Sequence, residues 1–330
     1  MTSRLLWVVL ALAACKKNDA PKVALLLPES KTARYETQDR PLFEQALKKH
    51  CEKCELLYSN AGQDAARQQQ QAEAALTNGA KVLVLDPVDG VSAKAIAERA
   101  HAAGVAVIAY DRAIRGTDAV DRLVTFDAEM IGAKQAEALL TGLGVRPALP
   151  LVVLINGSPT DDNAAQLKRG MHQVLAGKVE IVAEYDTPDW SPDKAQQEMT
   201  QALTALGSRT LDGVYAANDG TAGGVIAAVK AAGIAMPIIT GQDAEAAAVQ
   251  RIANGDQYCT IYKAIGVEAE AAAKLAAEAA QGKLQRGEPV VLKPDILTRA
   301  NLKTVFDQGF LKRTDVCTGT YAAACADAGI

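Results

Sequence analysis

Residues 82–111 read VLVLDPVDGVSAKAIAERAHAAGVAVIAYD, and residues 212–243 read DGVYAANDGTAGGVIAAVKAAGIAMPIITGQD. Each stretch is an apolar run, an acidic turn, an Ala-rich helical segment closed by Ala-Ala-Gly, and a second apolar run ending in Asp. The apolar runs are continuous rather than alternating. Such strands are buried on both faces, as in a parallel sheet flanked by helices. The repetition of the unit predicts two similar α/β halves.

Working outward, strands are predicted at 23–27, 55–59, 82–85, 105–110, 152–155, 181–185, 213–217, 238–240 and 260–262. Helices are predicted at 39–50, 65–78, 92–103, 129–142, 163–175, 193–206, 221–232, 244–254 and 265–281. Gly79, Gly104, Gly207, Gly233 and Gly255 stand where helices should stop. The fold class is therefore α/β, with two Rossmann-like lobes around a central cleft. The first lobe is expected to span 22–125 with about 263–290, and the second 126–262 with about 291–310. Residues 311–330 form a tail.

The chain of 330 residues is long enough for two such cores. Its formal charge of −4 offers no dense cationic surface, so no nucleic-acid partner is expected. The N-terminus, MTSRLLWVVLALAAC, has a positive start at Arg4 and an apolar run over 5–14. That run is too short to span a bilayer, and small residues precede Cys15. The pattern is that of a signal peptide covering 1–15, followed by a polar tether at 16–21. LAAC at 12–15 resembles the bacterial lipobox, which implies lipidation of Cys15, anchoring to a membrane and an extracytoplasmic location.

Five cysteines remain, and export permits disulfides. Cys51 and Cys54 fall where a helix ends and a strand begins. A redox CxxC instead opens a helix, where the dipole lowers the thiol pKa, so a structural bridge is expected. A second bridge is expected between Cys317 and Cys325, with Cys259 left as a buried thiol. His50 beside the first pair makes a poor zinc site, because its ligands crowd together with no distant partner pair.

Ligands of parallel α/β sheets sit beyond the carboxyl ends of the strands. The residues there are Arg34 and Tyr35, Asp111 and Arg112, Asp161 and Asn163, Trp190, Asn218, Asp243 and Lys263. Asp86, Asp186 and Asp219 also follow strands and read more simply as caps or turn residues. In the first set, three cations balance three carboxylates. Neither an anion nor an amine would call for that balance. A neutral ligand rich in hydroxyls would, because each hydroxyl both donates and accepts. Trp190, the one tryptophan beyond the leader, lies in YDTPDWSPDK (185–194). An indole in so polar a connector suits the apolar face of a sugar ring; the alternative is a plug for a local gap. No P-loop, G-x-S-x-G elbow or complete G-x-G-x-x-G is present, and the three histidines are scattered. No enzyme, cofactor or metal is expected.

ARYETQDR (33–40), VIAYDRAI (107–114), VTFDAEMIG (124–132), NGSPTDDNA (156–164), DWSP (189–192), ANDGTAGG (217–224), TGQDAE (240–245) and TIYKAI (260–265) occur in this order. Together they resemble the two-lobed, type I sugar-binding proteins of ABC importers, and among these the receptors for D-xylose. The resemblance implies a periplasmic, monomeric receptor that closes on a monosaccharide and delivers it to a permease. It implies sugar contacts at Arg34, Asp111, Arg112, Asp161, Asn163, Trp190, Asn218, Asp243 and Lys263. The sequence departs from that pattern at Tyr35, where tryptophan is expected, at Asp162, where asparagine is usual, and in its tail cysteines. A sensor that reports sugar to a membrane kinase or chemoreceptor, and specificity for another pentose or hexose, fit the same residues.

Overall fold

The computed structural model describes residues 20–330. Cys15, the apolar run at 5–14 and most of the tether lie outside the described residues.

The first sheet contains β1 (Lys22–Leu27), β2 (Glu55–Asn60), β3 (Ala80–Leu85), β4 (Ala106–Tyr110) and β5 (Arg122–Phe126). The second contains β6 (Leu151–Asn156), β7 (Glu180–Asp186), β8 (Gly213–Ala216) and β9 (Ile238–Ile239). The remaining strands are β10 (Cys259–Tyr262), β11 (Val290–Leu292) and β12 (Asp295–Thr298). The first sheet runs β11-β5-β4-β3-β1-β2 and the second β7-β6-β8-β9, every pairing parallel. β1 is buried along nearly its whole length, as its unbroken apolar run requires.

The helices are α1 (Arg40–His50), α2 (Ala65–Thr77), α3 (Lys94–Ala102), α4 (Ala128–Leu143), α5 (Asp162–Leu175), α6 (Pro192–Leu206), α7 (Asp219–Ala232), α8 (Ala246–Asn254) and α9 (Ile265–Ala280). Their starts are chemically marked. Asp64 accepts from Arg67 N–H, Asp127 from Met130 N–H, and Asn218 forms a capping box with Thr221. Gly132 and Gly170 let α4 and α5 cross backbone to backbone. A methyl on either would lie 2.0 Å from a carbonyl oxygen of the other helix.

The chain passes between the lobes at Phe126–Ala128, Tyr262–Ile265 and Leu292–Asp295. The first and third passages are joined by Asp127 N–H donating to Leu292 O at 3.1 Å. α9 returns to the first lobe, where Ala269, Ala272, Ala273 and Ala276 pack on Val23, Val84 and Ile108.

Some features differ from the sequence reading. β5, β11 and β12 are not among the predicted strands; RLVTF is only alternately buried and lacks a continuous apolar run, and β11 and β12 are only three and four residues long. The first lobe, expected to end at about 290, keeps one more strand, since β11 pairs with β5. The strand expected at 260–262 is not in a parallel sheet: β10 pairs antiparallel with β12. In the tail, Val316 and Cys325 pack beside Val249, Ile252 and Ala253 of α8. Cys51 is bonded to Cys54 and Cys317 to Cys325. Cys259 is free and buried, and burial pushes its thiol up to about 12.

Candidate functional site

All ten residues singled out at the strand ends line one cavity between the lobes. Arg34, Tyr35, Asp111 and Arg112 come from the first lobe. Asp161, Asn163, Trp190, Asn218 and Asp243 come from the second, and Lys263 from the second passage.

Asp161 and Asn218 are caps as well as cleft residues, two roles that the sequence alone set against each other. Asp161 Oδ1 accepts from Asn163 N–H at 2.8 Å and caps α5, while its Oδ2 faces Arg112 Nε at 2.9 Å. Asn218 Oδ1 accepts from Thr221 N–H at 2.9 Å and caps α7. That leaves the Asn218 side-chain NH2 for the cleft.

The charges are almost wholly removed from water. Arg34 and Arg112 are 2% and 3% exposed, and Asp111, Asp161 and Asp243 are 4%, 4% and 2% exposed. Lys263 Nζ lies 2.9 Å from Asp243 Oδ1 and 3.9 Å from Asp111 Oδ1. Burial raises the Asp111 carboxyl, but Arg34, Lys263, Arg112 and the Tyr35 hydroxyl outweigh it and hold Asp111 far below the usual carboxylate range. Burial and Arg34 work against the charge on Lys263, yet Asp243 and Asp111 prevail and keep it protonated. Burial raises Asp161, with Arg112 pulling the other way.

Some of these atoms have no hydrogen-bond partner in the protein. Arg34 Nη1 and Asp111 Oδ1 are buried and unmatched, and Asp243 Oδ1 meets only the Lys263 ammonium, at 2.9 Å. Arg34 Nη1 is 3.6 Å from Asp111 Oδ1 and 3.8 Å from Asp243 Oδ1, too far for hydrogen bonds. One donor and two acceptors thus face the same space. A ligand hydroxyl can accept from the first and donate to the second, a combination that a carboxylate or phosphate ligand lacks.

Trp190 is 4% exposed, and its indole N–H donates to Asp161 Oδ2 at 3.0 Å. The ring lies against Gly157, where an added methyl would come within 2.1 Å of it. Asp189 and Trp190 both have positive φ, 61° and 53°, as do Asp111 at 55° and Asp243 at 101°. L-residues adopt this region at a cost, and it recurs at functional sites. Tyr35 donates to Asp111 Oδ2 at 3.0 Å, and its ring centroid lies 5.1 Å from the Arg34 guanidinium and 5.6 Å from that of Arg112.

Other residues were not singled out from the sequence. Gln242, Phe126, Ile131 and Leu167 also line the cavity. Gln242 sits beside Asp243 at a strand end, so the strand-end rule could have included it; the apolar three carry no such signal. Asp86 and Asp219, read as caps, are fully buried instead. Asp86 lies behind Arg112 at 3.6 Å, and Asp219 accepts from Gln257, Thr260 and the Glu245 N–H. Asp186 is a surface residue paired with Lys168. Among the described residues, no group of His, Cys, Asp and Glu side chains is placed to hold a metal ion.

Two α/β lobes, three chain passages and a buried polar cleft lined from both sides match the architecture of a two-lobed solute receptor. The chain belongs to the periplasmic binding protein family, whose domain it matches over residues 23–284. It is 31% identical over 315 residues to the D-xylose-binding periplasmic protein of Escherichia coli K12, covering 89% of this chain and 92% of that one. It is also 31% identical to the multiple sugar-binding periplasmic protein SbpA of Azospirillum brasilense, over 94% of this chain and 90% of the relative. Among solved structures, it resembles a carbohydrate transporter solute-binding protein from Chloroflexus aurantiacus in complex with D-glucose. That similarity has a TM-score of 0.80 at 29% identity and covers 89% of this chain and 97% of the other.

Proposed function

We propose that the protein captures one monosaccharide between its lobes outside the cytoplasm, D-xylose first among the candidates, and delivers it to the permease of an ABC importer. No bond in the sugar is made or broken. The observation that carries this reading is the pair of unmatched buried atoms, Arg34 Nη1 and Asp111 Oδ1, with the Lys263-bound Asp243 Oδ1 facing them, beside an immobilised indole. A sugar ring offers both what these atoms need, hydroxyls on its edge, and what Trp190 needs, an apolar face. The ten cleft residues are proposed as its contacts. Xylose is favoured by the relative named for it. A relative named for multiple sugars and a neighbour holding D-glucose make hexoses the next to test.

A thermal-shift panel of D-xylose, L-arabinose, D-ribose, D-glucose and a sugar phosphate tests this. A ligand at about 100 times its dissociation constant adds about 2.7 kcal/mol to stability, which is easily read as a higher melting temperature. The largest shift is expected with D-xylose and none with the phosphate. No shift with any neutral aldose would overturn the reading.

The leader is proposed to be removed at Cys15, which then carries the lipid that tethers the receptor. Cys15→Ala is expected to lose lipid labelling and be released in soluble form. Equal labelling of the two proteins would refute the anchor.

A further inference from the structure

Arg34 is held from behind. Its Nε and Nη2 donate to Asp39 Oδ2 and Oδ1 at 2.9 and 2.7 Å, a two-point ion pair. Nη2 also donates to Glu268 Oε2 at 3.2 Å. The Tyr110 hydroxyl donates to Asp39 Oδ1 at 2.6 Å and fixes that carboxylate in turn. Asp39 and Glu268 are 1% and 0% exposed, and neither lines the cavity. Asp39 closes the wide helical turn Tyr35–Asp39, whereas Glu268 stands on α9, just after the second passage between the lobes.

The arrangement answers a problem that the cleft poses. Arg34 Nη1 lies 3.6 and 3.8 Å from two buried carboxylate oxygens, Asp111 Oδ1 and Asp243 Oδ1. A charge-assisted hydrogen bond forms at about 2.8 Å, so a movement of about 1 Å would let the arginine satisfy both carboxylates itself. A site that pairs internally has less to offer a ligand. Asp39 and Glu268, hydrogen-bonded to Arg34 from the opposite side, oppose that movement.

We propose that Asp39 and Glu268 are positioning residues that hold Arg34 back from Asp111 and Asp243, so that Arg34 and Asp111 keep polar atoms for the ligand. The proposal rests on the cleft being the sugar site. Asp39, with the two-point pair, carries most of the restraint, and Glu268 adds to it.

The test uses Asp39→Asn and Glu268→Gln, which keep shape; the first removes a charge and the second replaces a carboxyl by an amide. Asp39→Asn is expected to weaken sugar binding about 30-fold or more, the lower end of the range for removing one partner of a buried charge pair. The melting temperature of the sugar-free protein should be nearly kept, because the released arginine finds Asp111 and Asp243. Glu268→Gln should show a smaller loss of affinity. In an Arg34→Gln background, Asp39→Asn should weaken binding no further, since the two residues act as one unit. In the sugar-free wild type, the Arg34 Nε–H proton should be protected and resolved by NMR, and it should shift in Asp39→Asn. This arm needs neither sugar nor the Arg34 variant. A shifted signal in a protein that binds no aldose would uphold the restraint and overturn the sugar reading alone. An unchanged Arg34 signal, unchanged affinity in Asp39→Asn, or an equal affinity loss with and without Arg34 would overturn the proposal. A lower melting temperature with affinity kept would make Asp39 a structural residue only.

Discussion

Arg112→Met is expected to weaken sugar binding by at least about a hundredfold, and to destabilise the sugar-free protein by about 3–5 kcal/mol near pH 8. Arg112 Nε lies 2.9 Å from Asp161, 3.6 Å from Asp86 and, through Nη2, 3.9 Å from Glu29. Its Nη1 donates to Pro87 O at 3.3 Å. Methionine keeps much of the stem volume and leaves three buried carboxyls without their counter-charge. Burial already pushes Asp86 and Glu29 up, and Arg112 is the strongest opposing influence on each. In the variant both should take up protons rather than remain as bare buried charges. The folded state then binds more protons than the unfolded state, so stability falls as pH rises. The loss should therefore be smaller at pH 5 than at pH 8. Urea unfolding at the two pH values measures this, and calorimetry measures the affinity. Affinity within tenfold of wild type would place the sugar elsewhere.

Trp190→Ala is expected to cost about 60-fold in affinity. Counted from an open form in which the ring and the sugar face both meet water, stacking would remove about 100 Å² of apolar surface, worth roughly 2.5 kcal/mol. Truncation is not a clean contact energy, so losses from about tenfold to several hundredfold agree with the account. The indole is pinned by its N–H bond to Asp161 and by Gly157 against the ring. Gly157→Ala should therefore act in the same direction by driving the ring into the cleft. A plug for a local gap predicts the opposite pattern: early melting of the sugar-free Trp190→Ala protein with affinity kept. Trp190 emission should also change on titration with sugar, because the only other tryptophan, Trp7, lies in the proposed leader.

The repeated unit at 82–111 and 212–243 made the two parallel sheets legible, because burial on both faces leaves a continuous apolar run. The strand-end rule likewise gathered the cleft, since parallel strands in a sheet share a direction and bring their carboxyl ends together. What stayed hidden has physical reasons. Asp39 and Glu268 act from helical segments, and nothing in their own sequence distinguishes them from solvated carboxylates. Phe126, Ile131 and Leu167 look like any core residue. β5 alternates in burial at the sheet margin. β10 and β12 are short strands near the passages, and their antiparallel pairing depends on a partner distant in sequence. Asp161 and Asn218 show why a cap and a cleft residue cannot be told apart by position: while one oxygen caps, Asp161 Oδ2 meets Arg112 and Trp190, and Asn218 keeps its NH2.

The central claim is that one small sugar is held by both lobes at once. Several contacts already cross the cleft: Arg112 to Asp161, Asn163 Nδ2 donating to Asp111 O at 3.0 Å, Arg115 to Asp162, and Lys31 to Asp189 at 3.6 Å. Their surface members are worth little individually, so the sugar itself should supply most of the free energy of closure about the three passages. Small-angle X-ray scattering, with and without a saturating amount of the aldose that shifts melting most, tests this directly. The account predicts a smaller radius of gyration in the sugar-bound protein; an unchanged radius at demonstrated saturation would contradict closure on the ligand and point to a rigid site.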